Sequence, residues 1–329
     1  MPDLPLTMAV TYFDHISDLL RGRVRPEGIE LTALQLPVEE VFFRMLHFGE
    51  FDVSEFALGK YVSLVAAGAA PFRAIPVFPS RVFRQSAIFV RNGAGIREPK
   101  DLAGRRVGVP EWAQTACTYA RGYLQHHWDL RLRDVHWVQA GVNEAGRKEK
   151  VKLSLPEGIR IEHVADRSLN EMMLSADLDA MISAREPDAF LAGDGRIARL
   201  WPETRKLEES YYRETGVFPI MHVIVIRNAV LDRHPWVAAN LYKAFEQAKV
   251  NTMRHMDSSN SSRVPFAWAY EAVREAKRVF GEDFWPYGME ANRRTLDTFL
   301  QYAFEQGVTQ RRLAVEELFP KEVQAFSRT

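Results

Sequence analysis

The chain repeats itself in two places, and these echoes limit how it can fold. Ser86-Ala87-Ile88-Phe89-Val90-Arg91-Asn92 is echoed by His222-Val223-Ile224-Val225-Ile226-Arg227-Asn228, each an apolar strand ending in Arg-Asn. Gly49-Glu50-Phe51-Asp52-Val53-Ser54 is echoed by Ala176-Asp177-Leu178-Asp179-Ala180-Met181, where a helix ends in a short acidic turn and a strand emerges. Both echoes are satisfied by a chain that leaves one α/β lobe along a long strand, builds a second, and returns along another. The expectation is an α/β fold of two lobes, with a ligand cleft between them and two hinge strands. Residues 1–90 and 222–329 form the first lobe, with a helical C-terminal part, and 91–221 the second.

Taken in order, Leu6–Val10 and Ile29–Leu36 read as strands, with a short helix over Ile16–Leu20 between them. Val38–Phe48 is an amphipathic helix with Val41, Phe42, Met45 and Leu46 inward, stopped by Gly49. A strand at Asp52–Phe56, a helix at Gly59–Gly68 and a strand at Arg73–Phe78 follow. The second lobe holds Val107–Val109, a helix to Trp128, Val135–Val138, Ile159–Val164, a helix Leu169–Leu174 capped by Ser168, and Leu178–Ile182. This alternation predicts a largely parallel sheet. Beyond Asn228 the chain is mostly helical, with Asp232 capping a helix from Pro235 to about His255. A polar loop, Asp257–Arg263, and further helices follow, and this tail is expected to pack on the first lobe.

Arg105–Leu124 joins a strand to a helix through Pro110-Glu111-Trp112-Ala113-Gln114-Thr115. The first amides of a helix lack partners within it and carry partial positive charge, so such a turn suits a ligand carboxylate. The plainer reading is an ordinary strand–helix turn with Thr115 as N-cap.

Composition narrows the class. The chain has 329 residues, 47% hydrophobic and 26% charged, as soluble globular proteins do. Lys+Arg and Asp+Glu both total 43, which argues against nucleic-acid binding. The single cysteine, Cys117, excludes an internal disulfide framework. No stretch approaches the ~20 apolar residues that span a bilayer. The N-terminus lacks the pattern of a secretory signal, so the expected compartment is the cytoplasm. Apolar surfaces in the helical tail leave room for a homo-oligomer.

The echoes resemble the type II periplasmic-binding-protein fold, whose ligand sits between two α/β lobes. A narrower resemblance rests on six segments in order. They are Phe78-Pro79-Ser80-Arg81-Val82-Phe83-Arg84, Asp101 to Glu111, Gly146-Arg147-Lys148-Glu149-Lys150, Ile182-Ser183-Ala184-Arg185, Tyr211 to His222, and Trp285-Pro286-Tyr287-Gly288. Together they resemble the 4,5-dihydroxyphthalate decarboxylase family over nearly the whole chain, the Tyr211–His222 run being the most specific. The resemblance implies a non-oxidative carboxy-lyase without a known organic cofactor, forming protocatechuate and CO₂. Gln85 departs from it, standing where His is expected in many relatives; if that His serves the chemistry, the substrate differs.

Loss of CO₂ straight from an aromatic ring leaves an unstabilised aryl anion. A hydroxyl para to the departing carboxylate offers another route: it loses its proton, and the ring carbon is protonated before CO₂ leaves. The site then needs an acid, a base and cations for the carboxylates, for which the planar fork of Arg is suited. His222, opening the returning hinge strand, is the first candidate for acid–base work, against a hinge histidine satisfied by backbone. His15, just after the first strand in Tyr12-Phe13-Asp14-His15, is the second, against a solvated helix-start residue. Glu111 is either a proton shuttle or a first-turn carboxylate favoured by the helix dipole.

Arg81, Arg84, Arg147 and Arg185 are the carboxylate-clamp candidates, two of them expected to touch ligand; in Arg147 a solvated role competes. Tyr12, Thr115, Ser54 and Glu55 are candidates to line the site, the last two competing with strand-end bonds to backbone. Trp112 either stacks on the substrate ring or belongs to the core. His126 and His127 point different ways on a helix, and no metal-ligand spacing appears, so no metal is assigned, although a divalent ion remains compatible. The competing functions are a non-catalytic receptor for an aromatic or dicarboxylic acid and a dehydratase acting on a cyclic carboxylate.

Overall fold

The computed structural model describes residues 2–258 and 265–326. It begins with strand β1 (Leu4–Val10), helix α1 (Ser17–Leu20), β2 (Ile29–Gln35), α2 (Val38–Phe48), β3 (Val53–Ala57), α3 (Leu58–Ala66) and β4 (Phe72–Arg81). The crossing chain supplies β5 (Ile88–Arg91), then β6 (Arg106–Val109), α4 (Thr115–Trp128), β7 (His136–Gln139), β8 (Ile161–His163), α5 (Leu169–Leu174), β9 (Ala180–Ile182), α6 (Asp188–Leu191), β10 (Ile197–Arg199) and α7 (Thr204–Thr215). It returns through β11 (Ile220–Arg227) to α8 (Asn228–Leu231), α9 (Trp236–Met256), α10 (Ala269–Phe280), α11 (Arg293–Glu305) and α12 (Lys321–Gln324).

The local signals act as their chemistry dictates. Helix α2 buries Val41 and Met45 and ends at Gly49, whose φ of 55° is the left-handed conformation that glycine accepts most easily. Ser168 and Glu171 form a reciprocal capping box at the start of α5.

Two sheets result, ordered β2-β1-β3-β11-β4 and β10-β5-β9-β6-β7-β8. Leaving out the edge strand β8, the second reads β7-β6-β9-β5-β10, the same order with a returning strand next to the last place. Both first-echo segments supply that strand: β11 runs antiparallel to β3 and β4, and β5 antiparallel to β9 and β10. The other neighbours pair in parallel. Both second-echo segments lead into the third strand, and their acidic turns do the same work. The Asp52 carboxylate accepts the Thr7 amide of β1 at 2.9 Å, and the Asp179 carboxylate accepts the Arg106 amide of β6 at 3.3 Å. Each carboxylate ties the emerging strand to its parallel neighbour, which is why the acidic turn recurs.

Several expectations need correction. The strand expected over Ser86–Asn92 is shorter, because Gln85–Ala87 form a 3₁₀ turn. Asp232 closes α8, while α9 starts after Pro235. Helix α7, which buries only Tyr211 among its twelve residues, was not anticipated, nor were α6 and β10. Residues 259–263 of the expected polar loop lie outside the described residues. The tail does not pack on the first lobe alone. Helix α9 packs on β4, but α11 packs on α4 of the second lobe, and Gln306 accepts the Trp112 indole N–H through its backbone oxygen at 2.7 Å. One continuous apolar core therefore runs through both lobes. Among the described residues no helix is long and apolar enough to cross a membrane.

Candidate active site

A cavity of about 760 Å³ lies where the two sheets face each other, walled on one side by residues 141–148. Its floor follows from the β3–β11 ladder. His222 stands opposite Ala57, and Glu55, two residues earlier, points to the same face of the sheet. His222 donates its Nδ1–H to Glu55 Oε1 at 2.5 Å, and the Thr11 amide donates to Glu55 Oε2 at 2.8 Å. Glu55 is fully buried. With Nδ1 committed to the carboxylate, Nε2 is the basic nitrogen of the neutral ring, and His222 lines the cavity. The Phe42 ring packs edge-on, 5.0 Å away, and holds the imidazole plane.

Opposite, Glu111 gathers three cations. Lys60 Nζ lies 3.0 Å from one oxygen; Arg147 lies 2.7 Å and Lys150 3.6 Å from the other. Burial pushes the Glu111 carboxyl up, but Lys60, Arg147 and Lys150 outweigh it and hold it below the usual range. Glu111 is therefore an ionised organiser of positive charge. The Lys60–Glu111 pair joins α3 of the first lobe to the second, as do Arg147 and Arg185, which reach Glu39 on α2 at 3.1 and 3.8 Å. Arg84 differs from these cations. Its Nε donates to Met221 Sδ at 3.0 Å, and it makes no ion pair among the described residues. Burial draws its pKa down to about 10, so it stays charged at neutral pH while facing the cavity.

Six cationic side chains line the cavity against three carboxylates. That excess suits a ligand with two negative charges.

The structure thus brings His222, Glu111, Arg84, Arg147, Arg185 and Thr115 to one cleft, sets Glu55 behind His222 and not in the cavity lining, and places other candidates elsewhere. Arg81 is 5% exposed and donates to the backbone oxygens of Phe218 and Pro286 and to the Asn292 side chain. It braces the hinge region through its two terminal nitrogens, which donate to protein oxygens. Trp112 is fully buried, with the Arg121 guanidinium 3.7 Å above its ring, so no ring face is open to a substrate. Ser54 is buried and donates to the Glu55 backbone oxygen at 2.8 Å. Tyr12 is exposed and does not line the cavity. His15 sits beside the Phe13 and Trp285 rings, each 5.5 Å away, and does not line the cavity either. Burial, aided by Lys249 and Arg81 and opposed by Glu55, pulls its pKa to about 4, so its ring is neutral at neutral pH.

Thr115 is not the N-cap, which is Gln114; its hydroxyl accepts the Gly59 amide at 2.9 Å, across the lobes. The opening turn does hold a carboxylate, but one from the chain itself: Glu149 accepts the amides of Trp112 and Ala113 at 2.6 and 3.2 Å. Gln85 is buried and accepts the Arg84 amide at 3.1 Å, so it supports Arg84 from behind. Sequence reasoning missed Lys60. Its signal was a lysine in the first turn of a helix, where the dipole disfavours a cation.

Two α/β lobes with matching strand order and a cleft at the returning strands define a type II periplasmic-binding-protein fold, here with an imidazole–carboxylate pair on the cleft floor. The same fold is seen in the aliphatic sulphonate binding protein SsuA of Escherichia coli, with a TM-score of 0.55 at 11% identity, covering 100% of this chain and 95% of that one. It is seen also in the desulfurization enzyme DSZB, with a TM-score of 0.54 at 16% identity and 97% of each chain covered. No family model matches the chain. It is 34% identical over 328 residues to 4,5-dihydroxyphthalate decarboxylase of Comamonas testosteroni, covering 99% of both. A protein of that name from Pseudomonas putida is 36% identical over 214 residues, 65% of this chain and 83% of the relative. The chain belongs to the 4,5-dihydroxyphthalate decarboxylase family and is a carboxy-lyase, as its six segments imply.

Proposed function

We propose that the protein converts 4,5-dihydroxyphthalate to protocatechuate and CO₂ by general acid–base catalysis, with no organic cofactor, in the cytoplasm. The observation that carries the chemistry is the Glu55–His222 pair on the floor of a cleft with excess positive charge. His222 Nε2 takes the proton of the hydroxyl para to the departing carboxylate, and Glu55 stabilises the imidazolium that forms. The released electron pair flows into the ring, and the carbon bearing the carboxylate accepts a proton. The C–C bond to the carboxylate then breaks, CO₂ leaves, and its electrons return through the ring to the oxygen, which His222 reprotonates. One proton is consumed overall.

Arg84, which makes no ion pair among the described residues, holds the carboxylate that remains. Arg185 at the mouth supplies further positive charge. Closure of the cleft excludes water and strengthens these interactions. A buried, unpaired Cys117 fits a reducing compartment.

The test is incubation of purified, chelator-treated protein with 4,5-dihydroxyphthalate, following CO₂ and identifying the product by mass. Stoichiometric protocatechuate is the expected result. Tight binding without turnover, with or without added divalent metal, overturns the proposal and leaves a receptor. A product heavier than protocatechuate points to another reaction on the ring acid.

A further inference from the structure

We propose that Lys60 is the acid that protonates the ring carbon from which CO₂ departs. This rests on the decarboxylase reading and supplies the proton donor which that reading leaves open.

The position is costly for a lysine. Lys60 lies in the first turn of α3, where the helix dipole repels a cation, and its side chain is only 7% exposed. Helix stability alone does not select it. Its one ion-pair partner among the described residues is Glu111, whose charge is shared with Arg147 and Lys150. Those two cations are more open, at 26% and 28% side-chain exposure. Burial lowers the Lys60 ammonium from its ordinary range, Glu111 partly offsets this, and Lys150 and Arg147 add to it. A lowered ammonium is a stronger acid near neutral pH.

The other groups at the site fit this role poorly. Glu111 is held ionised by its cations and has no proton to give. Guanidinium groups do not release protons. Burial pushes the Cys117 thiol up to about 12. Lys148 and Lys150 are exposed. His222 is occupied with the hydroxyl.

Geometry places Lys60 well. His222 faces Ala57 across the β3–β11 ladder, Lys60 follows Ala57 by three residues, and all three line the same cavity. In the step, a Lys60 N–H bond breaks and a C–H bond forms at the carbon bearing the carboxylate, as His222 removes the para hydroxyl proton. Loss of CO₂ then restores the aromatic ring, and solvent reprotonates the neutral amine.

The test is Lys60→Arg beside Lys60→Ala. Arginine keeps the charge but cannot serve as the acid. Lys60→Arg is expected to bind phthalate, an unreactive analogue, within threefold of wild type while kcat falls by about 10²-fold or more. Methylamine is expected to restore part of the kcat lost in Lys60→Ala. A kcat within threefold of wild type in Lys60→Arg overturns the proposal, as does a loss confined to KM with no amine rescue. Should both variants unfold, acetylation of the wild-type protein decides. Phthalate must shield Lys60, and activity must fall in step with Lys60 acetylation; full activity with Lys60 acetylated overturns the assignment. A wild-type protein that binds 4,5-dihydroxyphthalate without turning it over overturns the decarboxylase reading itself. A fully active Lys60→Arg overturns only the role of Lys60.

Discussion

His222 Nδ1 and Glu55 Oε1 lie 2.5 Å apart, although 167 positions separate the two residues in sequence. The contact exists because β11 returns beside β3 and sets His222 diagonally across from Glu55. A fully buried carboxylate thereby fixes the tautomer and the plane of an imidazole that faces the cleft.

Replacing that carboxylate by an amide removes the charge that stabilises the imidazolium while keeping the shape. Glu55→Gln is expected to lower kcat by about 10²-fold or more and leave KM near the wild-type value. Steady-state kinetics on 4,5-dihydroxyphthalate check this, and an unchanged kcat sinks the positioning role.

Arg84 makes no ion pair among the described residues, so its removal is expected to appear in substrate binding. Arg84→Met should raise KM by roughly 10–100-fold, corresponding to charge-assisted hydrogen bonds of about 1.5–3 kcal/mol. Arg84→Lys should recover only part of this, since an ammonium lacks the two-pronged fit to a carboxylate. Titration with phthalate followed by calorimetry measures the binding directly; equal affinity in all three proteins rules the anchor out.

Gly59 lets the two sides of the cleft approach. A Cβ there would stand 2.4 Å from the Ala113 backbone oxygen and 3.3 Å from the Thr115 amide nitrogen. Backbone on both sides cannot yield cheaply. Gly59→Ala should destabilise the fold by about 1–3 kcal/mol and lower kcat by displacing Thr115 and Glu111 from α3. Denaturant unfolding and kinetics on the same preparation test this, and wild-type behaviour in both refutes it.

His15 links stability to acid. Its pKa falls from an ordinary 6.5 to about 4 in the folded protein. Between those values the unfolded chain binds more protons, so stability rises with pH. The contribution is complete above about pH 6.5 and is lost as pH falls toward 4, amounting to at most about 3 kcal/mol. Urea unfolding from pH 4 to 7 should be less pH-dependent in His15→Gln. Identical slopes would assign the acid sensitivity to other groups.

Much of the frame was legible in sequence because it is written locally. The apolar spacing from Val38 to Phe48 with Gly49 behind it, and the capping of α5 by Ser168, need only neighbouring residues. The echoes were legible for the same reason: an acidic turn before a third strand anchors that strand to its neighbour in each sheet. Helix α7 escaped notice because it offers almost no apolar face, and β10 because three residues carry too short a pattern.

The site was harder to read. Arg81 and Arg84 sit three residues apart in one segment, yet one braces the hinge and the other faces the cavity. Trp112 and Glu111 are adjacent, but Trp112 turns into the core and Glu111 toward Lys60. Residue type announces what a side chain can do, while the backbone decides where it is aimed.

The sequence by itself determined the two-lobe α/β plan, the helices with strong periodicity and the family, since these depend on patterns along the chain. Only the tertiary structure decided that Glu55 supports His222, that Lys60 meets Glu111, and that Arg84 faces the cavity with no ion pair among the described residues. Those outcomes depend on burial and on partners brought from distant segments, and the free energy of a charge is set by both.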